Sequence, residues 1–177
     1  MRFILLFLLC SLQLSAQQYL SKEGYVRFFS EAPMENIEAE NHQVAGVIDL
    51  RSGEFAFRLK IEDFQFENAL MQEHFNENYL ESDLYPLSTF TGMIEGLGDL
   101  DLSYQQEVEV TGEMLMHGVK HILTLNSTVS LKAEKLKLTA DFPIRLADYQ
   151  IDIPKLVFYN IAEVLDVSIQ MSLSKLK

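Results

Sequence analysis

Lys135-Leu136-Lys137-Leu138-Thr139-Ala140-Asp141-Phe142-Pro143-Ile144-Arg145-Leu146 is the stretch whose reading decides the fold. Its apolar side chains at 136, 138, 140, 142, 144 and 146 alternate without a break with polar residues or proline. Successive side chains of an extended chain point to opposite faces, so this period of two reads as a strand with one dry and one wet face. A face kept wet argues for antiparallel pairing, because parallel sheets are covered on both sides and need long crossovers.

The same alternation recurs outward from this segment. Phe55, Phe57, Leu59 and Ile61 alternate with Ala56, Arg58, Lys60 and Glu62. Val108, Val110, Gly112, Met114 and Met116 alternate with residues 107–115, and Leu165, Val167, Ile169, Met171 and Leu173 form a further run. Weaker versions occupy 24–30, 43–50, 88–96 and 119–131, which gives eight strands in all. Ser52-Gly53 and His117-Gly118 supply turn residues between neighbouring runs. Eight antiparallel strands can close into a barrel and so remove exposed sheet edges. The alternative is an open sandwich, for which strands this long are less suited.

One segment breaks the period. Within 67–80, Met71, Phe75 and Tyr79 fall at i, i+4 and i+8, with Leu70 and His74 on the next row. This predicts an amphipathic helix of about four turns, capped by Asn68 and kept from running on by Pro86. A second short helical turn is expected near 154–161, where alternation lapses.

The chain opens with Arg2, an apolar run from Phe3 to about Leu14, and then Ser15-Ala16. That is the layout of an export signal cleaved after Ala16. The run is too short for a membrane anchor and is broken by Ser11 and Gln13. Cys10 follows Leu9 where lipoprotein processing wants a small residue. The expected organisation is a signal peptide over 1–16 and one domain over 17–177, working in the bacterial periplasm or outside the cell. Removing 16 of the 177 residues leaves 161, without cysteine. The signal holds one of the 14 basic residues and none of the 26 acidic ones, so the mature charge is 13 minus 26, or −13. Such a surface disfavours nucleic-acid binding and electrostatic docking to anionic membranes.

Catalytic patterns are missing: there is no G-x-S-x-G elbow, glycine-rich phosphate loop or H-E-x-x-H. His117 and His121 have helical zinc spacing but flank a strand turn, and no third ligand accompanies them. We therefore expect no enzyme, no metal and no required cofactor. Apolar surface is what remains. Phe55, Phe57, Phe90, Met114, Met116, Phe142 and Ile144 lie on inward faces. Phe64, Phe66, Met71, Phe75 and Tyr79 come from the helical segment and its approach. A barrel of eight strands is either filled by such side chains or holds one small ligand, and composition does not choose between the two.

The order of several short motifs resembles the YceI-like family. They run Gly24-x-Val26-x-Phe28, Ala32-Pro33, Gly46-x-Ile48, Phe64-x-Phe66, Met71-x-x-His74-Phe75, Tyr79-Leu80-Glu81-Ser82, Tyr85-Pro86 and Phe90-x-Gly92. They continue with His117-Gly118-Val119 and with Phe142, Leu146, Asp148, Tyr149, Ile151, Ile153 and Pro154, covering about 24–173. Gln150 departs from the pattern, which usually has glycine there. The resemblance implies an extended lipocalin-like barrel around an apolar tunnel. It further implies a polyisoprenoid, quinone-like or other amphiphilic lipid ligand, a periplasmic location and often a homodimer. It carries no catalytic motif, so it transfers only a lining role to the inward residues. The alternative is a filled barrel that acts through its acidic surface or a dimer partner.

Overall fold

The computed structural model describes residues 17–31, 36–153 and 162–176. The signal segment 1–16 and the helical turn expected near 154–161 lie outside these residues. Strands β1 (Gln18–Ser30), β2 (Ile37–Asp49) and β3 (Glu54–Lys60) come first, followed by the two-residue β4 (Gln65–Phe66). Helix α1 (Ala69–His74) follows and continues as a single π turn, Phe75–Tyr79. Then come β5 (Leu87–Ile94), β6 (Gln106–Met116), β7 (Val119–Lys132), β8 (Lys135–Arg145) and β9 (Val164–Lys175).

All pairings are antiparallel, in the order β1-β9-β8-β7-β6-β5-β3-β2, and β1 pairs back onto β2 to close an eight-strand barrel. The β4 stub adds to β2 through Ala39 and Glu40, beyond the end of β3. The deciding stretch behaves as read: β8 alternates exposed and buried residues without exception, with Leu136 fully buried and Phe142 8% exposed. The first two strands begin earlier than their alternation, because a bulge around Gly24 shifts register and interrupts the period.

Close strand approach is needed at one facing pair. Gly92 opposes Gly112 across β5–β6, and a Cβ on Gly92 would stand 2.1 Å from the carbonyl oxygen of Thr111. Any side chain there would push the two strands apart.

One end of the barrel holds the tight turns 50–53 and 133–134, the loop 95–105 and the start of β1. The other end carries the helical segment 67–80, the β6–β7 turn and the connection leaving β8. The helix is shorter than the sequence predicts. Asn68 caps it by accepting from the N–H groups of Leu70 and Met71. It closes at Leu80, whose N–H donates to Phe75 O, while Ser82 N–H donates to Asn76 O around left-handed Glu81. This is a Schellman-type closure in which glycine is usual.

Candidate functional site

The helical segment lies across one mouth of the barrel, and two apolar cavities meet beneath it. The outer one, about 280 Å³, is walled by the segment itself (Asn68, Leu70, Met71, His74, Phe75, Tyr79, Leu80) and by Phe28, Ser30, Ile37, Phe66, Leu146, Ile151 and Leu165. The inner one, about 90 Å³, reaches into the barrel past Val26, Phe64, Met114, Met116, Phe142, Ile144, Val167 and Ile169. Six residues belong to both walls: Phe28, Phe75, Leu80, Leu146, Ile151 and Leu165. The cavities therefore adjoin along one line running from the mouth inward.

Phe28, Phe64, Phe66 and Phe75 make the partition. Phe75 stacks on Phe28 at 5.6 Å and meets Phe66 at 5.0 Å and Phe64 at 5.6 Å. These rings meet because β1 delivers Phe28, the β3–β4 connection delivers Phe64, β4 delivers Phe66, and the π turn places Phe75 against all three. Offset and tilted aromatic pairs at such spacings add about 0.5–1.5 kcal/mol each beyond their burial.

Of the residues the sequence singles out, Phe64, Phe66, Met71, Phe75, Tyr79, Met114, Met116, Phe142 and Ile144 come together on these walls. Phe55, Phe57 and Phe90 line neither cavity. They pack on one another, at 5.4 Å and 4.9 Å between ring centres, and fill the barrel nearer its other end. Sequence reasoning about pocket walls missed Phe28, Leu80, Leu146, Ile151 and Leu165. Leu80 and Ile151 sit in connections, where alternation gives no face, while Phe28, Leu146 and Leu165 lie on inward faces near strand ends, and alternation does not say which inward residues border a void.

A second group of motif residues locks the same end of the barrel without lining it. His117, with a side chain 12% exposed, donates from Nδ1 to the carbonyl of Tyr149 at 3.0 Å. Its Nε2 lies 2.9 Å from Glu81 Oε2, and Tyr85 meets its ring edge-on at 4.7 Å. Gly118 is required beside it, since a Cβ there would come within 2.6 Å of the Tyr85 ring and its φ is +73°. Three connections are thereby tied together: the exit of the helical segment, the β6–β7 turn, and the turn after β8 that carries Leu146 and Ile151. Gln150 adopts φ 56°, so the turn keeps the left-handed conformation that glycine would supply more easily.

Polar groups are few on the cavity walls. Ser30 Oγ is used by the N–H of Ala162, and Ser88 Oγ donates to Leu115 O. Burial holds the Tyr79 phenol above its ordinary pKa, so it remains a neutral donor. Among the described residues no group of three or more His, Cys, Asp or Glu could hold a metal ion. None of the described helices is long and apolar enough to cross a membrane. A further concavity, about 520 Å³, lies at the other end, where Leu50, Leu97, Leu100, Leu102 and Leu131 share the wall with Arg51, Asp99, Asp101 and Ser103.

The model of the YceI-like domain matches residues 21–173 of this sequence. The chain belongs to the YceI-like family. Solved structures agree with the YceI-like fold at low identity. A polyisoprenoid binding domain from Saccharophagus degradans, implicated in plant cell wall breakdown, superposes with a TM-score of 0.78 at 16% identity, covering 91% of this chain and 99% of that one. BcnA of Burkholderia cenocepacia gives 0.72 at 14% identity, with 86% and 96% covered. A YceI protein of Campylobacter jejuni gives 0.63 at 15% identity, with 83% and 89% covered. No curated sequence matches the chain.

Proposed function

We propose that this YceI-like protein binds one apolar amphiphile, of the polyisoprenoid, quinone-like or fatty-acyl kind, and carries or sequesters it without chemical change. The observation that carries this reading is the adjoining pair of apolar cavities beneath the helical segment. Together they fall at the low end of ordinary ligand-pocket volumes. Enclosing a hydrocarbon chain is favourable by about 0.8 kcal/mol per methylene, so roughly ten buried groups offset much of the cost of association. Membership of the family supports lipid binding in this coarse form, and the polyisoprenoid binding of the Saccharophagus degradans relative points the same way. The protein works after export, in the periplasm or beyond, with a mature terminus at Gln17. Amino-terminal sequencing of the native protein checks that position.

A filled barrel acting through its surface is the other reading, favoured by the packing of Phe55, Phe57 and Phe90 in the far half. Native mass spectrometry of protein purified from its own host, followed by solvent extraction, separates the two. A stoichiometric lipid supports the carrier. A bare mass that takes up no prenyl or acyl lipid on titration would sink it.

A further inference from the structure

His117 stands with an oxygen acceptor before each of its ring nitrogens. Nδ1 is 3.0 Å from the carbonyl oxygen of Tyr149, and Nε2 is 2.9 Å from a carboxylate oxygen of Glu81. A neutral imidazole has one N–H and one lone pair, so it can serve only one of the two. The other contact would then set a lone pair against an oxygen. Only the imidazolium, with an N–H on each nitrogen, makes both bonds. The lock is also where the backbone is strained. Of the five described non-glycine residues at positive φ, three stand here: Glu81 at 45°, His117 at 50°, and Gln150, next to Tyr149, at 56°. Such residues persist only where surrounding contacts over-determine them, and they gather at ligand clamps and switches.

What the lock holds is the cavity wall. Leu80 immediately precedes Glu81, and Leu146 and Ile151 bracket Tyr149; all three border both cavities. Their connections are closed by the Leu80 N–H on Phe75 O and the Ile151 N–H on Leu146 O. Other charged and titratable groups surround the lock without bonding to the ring. Lys120 on β7 pairs with Glu113 of β6 at 2.8 Å. Arg145, at the end of β8, is exposed. Burial holds the Tyr149 phenol above its ordinary pKa, with neighbouring Asp148 adding to the shift, so it stays neutral. Tyr85 meets the imidazole ring to ring, and His121 meets the Tyr149 ring at 6.0 Å.

Building on the lipid-binding reading, we propose that His117 is an imidazolium in the closed lock and that loss of its proton loosens the mouth of the cavity. When the ring gives up that proton one of its two ties breaks. The strained exit of the helical segment or the turn after β8 then relaxes, and Leu80, Leu146 and Ile151 lose their fixed places on the walls. Both ties are present at low pH and one is lost as pH rises, so ligand affinity falls toward alkaline pH. His117 is a positioning residue here, since it lines neither cavity.

The test titrates the full mature protein with a pyrene-labelled prenol, a probe without charge, at about pH 5.5 and about pH 8, the range in which imidazole ordinarily changes charge. Affinity is expected to be about fivefold or more lower at the higher pH. Glu81→Gln is the deciding variant. Its amide can accept from an N–H or donate to a lone pair, so both ties survive in either ring state. The ratio of the two affinities should fall to about one in Glu81→Gln. His74, on the outer wall, is the rival source of a pH effect, and His74→Gln should keep the ratio of the unaltered protein. Equal affinities at the two pH values, or a ratio that survives in Glu81→Gln, overturn the inference while the lipid reading stands. Nitrogen NMR of the His117 ring decides its state without any ligand, and a single protonated nitrogen at about pH 5.5 overturns the inference whatever binds. If the prenol binds at neither pH, the lipid reading falls for this ligand class. Hydrogen-exchange protection of the Leu80 and Ile151 amides then decides the lock: a loss at the higher pH in the unaltered protein but not in Glu81→Gln supports it, and unchanged protection overturns it.

Discussion

Glu81 carries two opposing burdens. Its backbone takes φ 45°, a region that costs a residue with a Cβ on the order of 1 kcal/mol. Its carboxylate, 43% exposed, faces the buried His117 Nε2 at 2.9 Å, and hydrogen bonds to charged groups contribute about 1.5–3 kcal/mol, toward the lower figure here because solvent screens the carboxylate. The second magnitude exceeds the first, so Glu81→Gly should lower stability by roughly 1 kcal/mol although it relaxes the turn. Urea denaturation decides it, and a gain in midpoint would mean that the pair contributes less than the strain. A sharper contrast lies along β8. Phe142→Ala should cost about 3 kcal/mol, at the low end for phenylalanine because the ring already borders a cavity, against about 0.5 or less for outward Lys137→Ala. Equal effects would place the inward face on the wrong residues.

Elements with a single clean period were legible before any coordinates. β8 and β9 bury the predicted side because strand geometry leaves one alternative, and a slip of one residue would turn Leu136 and Leu173 out to water. Connections were legible only where glycine marked them. The β7–β8 turn is built from Ala133 at φ 50° and Glu134 at φ 62°, a left-handed pair without the Asn-Gly signature. The two-residue β4 and the change from α to π winding at Phe75 leave no periodic trace either, since both depend on what packs against Phe66 and Phe75. The backbone at the β7–β8 turn suggests a direct experiment. Ala133→Asn with Glu134→Gly should stabilise the protein by about 1 kcal/mol, and Gln150→Gly by a similar amount, because these residues fit φ > 0 at lower cost. Thermal unfolding measures it, and a fall in Tm for the hairpin pair would show that Ala133 or Glu134 makes a contact that outweighs backbone strain.

Across the whole molecule, the sequence could say which residues were apolar and inward but not where the barrel was full. Phe55 and Phe142 have the same pattern around them. One packs against other rings in the filled half and the other looks onto a void, because the far end is closed by the turns 50–53 and 133–134 and the loop 95–105 while the helical segment holds the near end open. The two cavities share six wall residues, so a bound chain would lie with its head outside and its tail in the inner cavity. Bound ligand stabilises the folded state by RT ln(1 + [L]/Kd), about 2.7 kcal/mol at a hundredfold excess over Kd. Long-chain alcohols should therefore raise Tm more than short ones, since only they reach the inner cavity. Met116 is half-buried, at the end of β6 and on the inner wall, so it has some room to accept bulk. Met116→Trp fills that small volume at an overpacking cost of about 1–3 kcal/mol. The variant should keep the Tm shift given by a short-chain prenol and lose the extra shift given by a long one. A folded Met116→Trp protein that still distinguishes the two chains would mean that the tail does not run inward, and that the occupant lies wholly between the helical segment and the barrel rim.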